Sequence, residues 1–250
     1  MTVGRPFRRT VRQFLDGQYA EGGRWMHVLH PKFAQTPEHY IRAFLLLQRD
    51  LQQLFDFIEP DDSNLLTYSF RTHELLLRTC VEIEANFKAI LKENGYSRSG
   101  SWDMRDYHKV EQSHRLSVYE IRVPIWRGTQ GLRRPFQAWA SSEPLPWYSA
   151  YNDSKHDRLT AFKRASFANA LDALTALVVI ISAQFMTHDF APRDSTLALN
   201  GTGPRDGMES AIGDFFRVRF PEDWPTSDRY AFHWPDIEND DDPFQEFHYS

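Results

Sequence analysis

The sequence predicts a mainly α fold: a four-helix bundle carrying a small inserted β-hairpin and an irregular aromatic and acidic C-terminal tail. Three observations lead there. Apolar residues recur at alternating spacings of three and four along three long segments, the pattern of helices that bury one face. One short segment alternates with period two instead. The end of the chain scatters its aromatics among acids and prolines with no period at all.

The first helix opens at Thr36-Pro37-Glu38, read as an N-cap, a proline at the first helical position and an early acid. Phe44, Leu47, Leu51, Leu54 and Ile58 form its stripe, and Pro60 stops it. The second covers residues 70–94, with Leu76, Cys80, Ile83, Phe87 and Ile90 on one face and Gly95 as its terminator. Glu74 with Arg78 and Glu84 with Lys88 are spaced to pair across one turn of its wet face. A shorter helix is expected over 103–116. The last begins near His156 and carries Phe167, Leu171, Leu174, Val178, Ile181 and Phe185, making it the most buried of the four.

Between these helices Tyr119, Ile121, Val123 and Ile125 alternate with Glu120, Arg122 and Pro124, which reads as a strand. Arg127-Gly128-Thr129-Gln130-Gly131 is turn chemistry, and the segment 132–139 returns as a second strand. Pro124 and Pro135 confine both to edge positions. An exposed loop is expected over 192–207 and a short helix over 211–220. Trp224, Tyr230, Phe232, Trp234, Phe244, Phe247 and Tyr249 then anchor a tail across the outside of the domain. The chain thus divides into a basic arm over 1–35, the bundle over 36–190 with its hairpin at about 117–140, and an extension over 191–250 that packs on the bundle. Arg5, Arg8, Arg9 and Arg12 precede the first acid, Asp16, and predict a solvated arm, a transit-type leader being the alternative.

Composition narrows the function classes. With 41% hydrophobic and 25% charged residues over 250 positions, the chain has the make-up of a soluble globular protein with a sizeable core. A net charge of −5 excludes a surface that coats nucleic acid all round but permits a local basic patch. The single cysteine, Cys80, excludes an intramolecular disulfide and a cysteine-based zinc site and fits a reducing cytoplasm. The longest apolar run, 173–185, falls short of a membrane span, so no membrane partner is expected. His108 and His114 have no metal-pair spacing, no His-Glu-x-x-His occurs, and the acids at 236–242 lack the glycine of a calcium loop. No phosphate-binding glycine loop or nucleophile elbow is present, and no cofactor or metal is expected.

One stretch concentrates chemistry. Tyr151-Asn152-Asp153-Ser154-Lys155-His156-Asp157-Arg158 follows the turn-forming aromatics Trp147 and Tyr148 and precedes the last helix. If a helix starts at Asn152, that amide shares a face with Lys155 or His156 and orients the imidazole. Lys155 and Arg158 then hold a phosphate at the positive helix end. A histidine titrating near neutrality accepts a proton from a ribose 2′-hydroxyl or donates one to a leaving oxygen. The plainer reading is a helix start whose Asn and Asp are caps and whose cations are solvated, and the residues alone leave both open.

Four helices with a polar histidine motif before the last one resemble the HEPN (higher eukaryotes and prokaryotes nucleotide-binding) superfamily. Its nucleases carry an arginine, usually a polar residue such as asparagine, and then a histidine a few positions on; here Asn152 and His156 match the last two, and Tyr151 stands at the arginine position. The tract from Trp147 to Asn152, followed by Lys155-His156-Asp157-Arg158, also looks like that of uncharacterised bacterial proteins of this architecture. The resemblance covers residues 37–188. It implies a metal-independent ribonuclease of the bacterial defence or toxin type, acting on RNA as a homodimer. His156 would be the general acid/base, Asn152 and Arg158 would complete the catalytic set, Lys155 would bind phosphate, and Tyr151 and Trp147 would support them. The alternative is a non-catalytic helical module that binds a nucleotide, RNA or a protein partner.

A second basic feature lies in the hairpin. Residues 121–142 hold no Asp or Glu but carry Arg122, Arg127, Arg133 and Arg134 with Trp126, Phe136 and Trp139. Exposed, such a set suits single-stranded RNA through phosphate contacts and base stacking. Otherwise its aromatics pack on the bundle and its arginines meet acids of the tail.

Overall fold

A computed structural model describes residues 2–19, 21–190 and 207–250. After a 3-10 segment at Glu21–Leu29 come α1 (Pro37–Leu54), α2 (Phe70–Glu93), α3 (Met104–His108), α4 (Val110–His114), α5 (Pro146–His156), α6 (Arg158–Ala161), α7 (Phe167–Phe185) and the short α8 (Trp234–Ile237). The strands are β1 (Glu120–Arg122), β2 (Leu132–Arg133), β3 (Glu209–Ser210) and β4 (Arg217–Arg219). The fold is mainly α, with α1, α2 and α5 packed against α7.

The helical stripes land where their spacing puts them. Leu76, Cys80, Ile83, Phe87 and Ile90 of α2 are fully buried, as are Phe44, Leu47 and Leu51 of α1 within a few percent. Ser69 and Thr72 form a reciprocal capping box that starts α2, and Gly95, at φ +78°, takes the left-handed conformation that ends it. The start of α1 differs from expectation. Thr36 sits at φ 46° and makes no side-chain cap, because a capping hydroxyl needs extended backbone. Glu84 and Lys88 approach to 3.8 Å, but Arg78 turns to Asp50 on the neighbouring α1 and Glu74 pairs with Arg71. The helix expected over 103–116 is two short ones separated at Lys109.

Helix α7 is buried on almost every side and is long and apolar enough, by length and composition, to cross a membrane. Here 83% of its apolar window is buried inside the protein, as in a core helix. It starts at Phe167, capped by Ser166, and not near His156.

The hairpin forms with Ile121 opposite Arg133, yet β1 is not an edge. Strand β4 pairs along its other side, giving an antiparallel sheet in the order β2-β1-β4-β3. Pro124 lies beyond β1 and so costs no ladder bond. The expected helix over 211–220 is instead a β-turn-β unit. Gly213 at φ +85° and Asp214 at φ 53° break any helix there, and Gln48 Nε2 donates to the Gly213 carbonyl at 2.9 Å. The expected loop over 192–207 lies, up to residue 206, outside the described residues.

Asp62 anchors the hairpin turn to the α1–α2 connection. Its carboxylate accepts from Trp126 Nε1 (2.7 Å), the Thr129 and Gln130 amides (2.8 and 3.0 Å) and the Thr129 hydroxyl (3.0 Å). Gly128 is obligatory beside it, since a Cβ there would fall 2.5 Å from the carboxylate.

The N-terminal arm is not solvated. Arg9 is fully buried, with Nε 2.8 Å from Glu93 Oε1 but off the hydrogen-bond axis, NH1 donating to Gln184 Oε1 (2.9 Å) and NH2 to the Gln35 carbonyl (2.6 Å). Arg12 donates twice to the Ser113 carbonyl and lies 4.8 Å from the rings of both Phe7 and Trp224. Arg5 and Arg8 pair with Asp240 and Asp242. The arm is therefore threaded between bundle and tail, where Trp224, Tyr230, Trp234 and Phe244 are buried.

Two outcomes are expected. Arg9→Met strands Glu93 in a buried site and costs about 3–5 kcal/mol in urea unfolding, and the double variant with Glu93→Met recovers part of that loss. Hydrogen bonds led by that from Trp126 hold the Asp62 carboxyl down to about 2. Because the folded pKa is depressed, its contribution is complete above about pH 4 and is lost as pH falls through about 2. Melting temperatures of wild type and Asp62→Ala, well separated at neutral pH, should converge across that window.

Candidate functional site

The polar cluster lies at the end of a helix, not at its start. Pro146 opens α5 and the helix runs to His156, so Lys155 and His156 occupy the last turn, where cations offset the negative helix end. Asp157 (φ −134°, ψ 73°) interrupts the chain and its carboxylate accepts from the Thr160 amide and hydroxyl, starting the single turn α6. The helix-dipole contribution to phosphate binding expected here is thus absent, and the sign of the local dipole is reversed.

Buried residues of α5 fix its orientation. Trp147 is in the core with Nε1 donating to the Pro135 carbonyl at 2.8 Å, and Tyr151 is buried beside it. Tyr148 donates to Glu84 Oε1 at 2.9 Å, and His73 Nε2 lies 3.4 Å from the Ser154 carbonyl. Trp147 and Tyr151 therefore hold the helix in place and do not line a surface. Lys155 donates to the Tyr151 hydroxyl at 3.1 Å and lies over its ring. This bond raises the Lys155 pKa, while burial raises that of the Tyr151 phenol and Lys155 pulls it back.

Asn152 and His156, one turn apart, do share a face. They line an open groove of about 460 Å³ with Asp153, Asp157, Thr160 and Arg164. His156 is exposed, and among the described residues neither its imidazole nor the Asn152 side-chain amide has a hydrogen-bond partner. Arg164 enters from the turn after α6 and pairs with Asp153. Lys155 and Arg158 point elsewhere: the first to Tyr151, the second to within 5.9 Å of the Phe70 ring. The guanidinium that lines the groove together with the imidazole is Arg164, to which the local sequence did not point. Its only local signal is the cap residue Asp157, which begins a turn that carries the chain back over α5.

The hairpin arginines are largely neutralised. Arg133 bonds Asp172 on α7 at 2.7 Å, Arg134 pairs with Glu120 on β1, and Arg127 lies 3.7 Å from Glu59. Arg122 is half-buried, with Nε lacking a hydrogen-bond partner. Phe136 and Trp139 are buried and Trp126 stacks on Phe167, so these aromatics form no exposed stacking surface. The acids that meet the arginines belong to the bundle and to β1, not to the tail. Among the described residues no group of three or more His, Cys, Asp and Glu is placed to hold a metal ion.

No protein-family model, curated protein or solved structure matches this chain.

Proposed function

We propose that the α5–α7 elbow is a phosphodiester-binding site of a HEPN-like, cytoplasmic protein of the bacterial defence type, and that His156 acts there as the general acid/base of metal-independent RNA cleavage. The observation that carries this reading is the convergence of His156, Asn152 and Arg164 on one open groove. RNA supplies its own nucleophile. The 2′-oxygen attacks phosphorus, the bond to the 5′-oxygen breaks, and the proton lost by the 2′-hydroxyl is balanced by one gained at the 5′-oxygen. Neutral His156 takes the first proton, or protonated His156 gives the second. One chain presents one imidazole, so the other transfer falls to water or to a second copy. Arg164 offers phosphate the nitrogens that Asp153 does not occupy, a charge-assisted contact.

Electrostatics supports an anion here. Residues 152–164 hold Lys155, Arg158, Lys163 and Arg164 against Asp153 and Asp157, an excess of two positive charges before His156 is counted. A second reading, RNA binding without cleavage, is favoured by Tyr151, which stands buried at the position where the nucleases carry arginine.

Purified protein incubated with total RNA and tRNA should give fragments whether or not chelator is present. His156→Ala should slow cleavage about a hundredfold or more. Arg164→Ala should weaken it about tenfold, and Lys155→Ala should act only through its screened charge. Cleavage by His156→Ala at the wild-type rate sinks the catalytic assignment. RNA bound without products, with affinity unchanged in that variant, selects the second reading.

A further inference from the structure

Phe70 opens α2 with 67% of its surface exposed, although the capping box of Ser69 and Thr72 holds its backbone rigidly. The ring lies outside the buried core and most of it is open to contact from solvent. Its surroundings are specific. The Arg158 guanidinium lies 5.9 Å from the ring centroid, within cation–π range, and Phe162 packs at 4.9 Å, itself in edge contact with Tyr68. Leu159, beside Arg158, is 94% exposed.

The platform is tied to the groove through one turn of chain. Arg158 follows His156 by two residues, and Phe162 precedes Arg164 by two. The α6 turn therefore gives Asp157, Thr160, Ala161 and Arg164 to the groove, and gives Arg158 and Phe162 to Phe70. A helix is about 10–12 Å across, so a strand laid over this turn meets the groove proposed to bind phosphate on one side and, on the other, the largely exposed Phe70 ring with the Arg158 cation over it. Phosphate contact alternating with an aromatic face is the arrangement that selects unpaired nucleic acid, because a duplex keeps its base faces stacked on one another.

We infer that Phe70, with Arg158 at its ring, is a base-stacking subsite that makes the elbow specific for single-stranded RNA. This rests on the phosphodiester-binding reading of the groove and adds to it the class of strand that binds. Phe70 is a specificity residue and takes no part in proton transfer.

The test is fluorescence anisotropy with a labelled 2′-O-methyl oligouridylate, which has bases but lacks the nucleophile and so stays intact. The same strand paired to its complement and an abasic ribose-phosphate oligomer are the comparison probes. Wild type should bind the single strand more tightly than either. Phe70→Ala should weaken single-strand binding about tenfold, down to the abasic level, without altering abasic binding or the melting temperature. Phe70→Trp should retain the affinity. The inference is overturned if Phe70→Ala binds the single strand like wild type while Arg164→Ala does not, or if it weakens all three probes alike. The groove reading itself falls if wild type binds none of the probes or if Arg164→Ala changes nothing, the outcome expected of a face that receives a protein partner.

Discussion

Helix α7 is buried on almost every side, and the rest of the molecule is arranged around that constraint. A helix apolar on all sides has to be enclosed, and three helices cannot cover a nineteen-residue cylinder completely. Helices α1, α2 and α5 take most of it, the small sheet is tied to it through Arg133 and Asp172, and Phe33 of the arm meets Phe185 at its far end. The Val11 amide bonds the Ala183 carbonyl, so even the last turn of α7 is closed by the N-terminal arm. The arm and the tail are structural parts of the core wrapping, which is why their cations and aromatics are buried.

The start of α7 is enclosed as well, its first amides bonding the Thr67 and Leu65 carbonyls, and what stays exposed is the segment that leads into it. The chain reaches α7 from α5 through Asp157, one turn of helix and a 3-10 segment, and those residues have little to bury against. They hold the exposed histidine, the groove-facing Arg164 and the exposed leucine. Rigid flanks and a short polar elbow are a common way to place reactive side chains, since the scaffold fixes position and the turn provides access.

Legibility followed burial. The stripes of α1 and α2, the glycine stop of α2 and the period-two strand were readable because each reports one element burying one face. Three features were not readable from local pattern. The pairing of β4 with β1 joins segments far apart in sequence, and nothing near Val218 names its partner. The burial of Arg9 depends on Glu93 and Gln184, which approach it only in the folded chain. In the segment before α7 a dense run of polar residues has the local pattern of a helix start, yet Pro146 begins the helix upstream and the run closes it. The face shared by Asn152 and His156 survived this shift because a spacing of four places two residues together anywhere along a helix. Lys155 and Arg158 do not share that face: the first turns to the Tyr151 hydroxyl and the second to the Phe70 ring.

That distinction bears on the chemistry. Reversing the helix end replaces about half a positive charge by about half a negative one, and Lys155 donates to a phenol. What remains for an anion is one guanidinium shared with Asp153, supplemented by the screened charge of the segment. Such a site would hold a single phosphate only weakly. Affinity for a polymer then has to come from contacts repeated along it, and base stacking is the contact that adds binding without adding charge. An exposed ring next to a weak cationic groove answers a deficit that the groove has on its own, and under the proposed reading selectivity lies with Phe70 and proton transfer with His156.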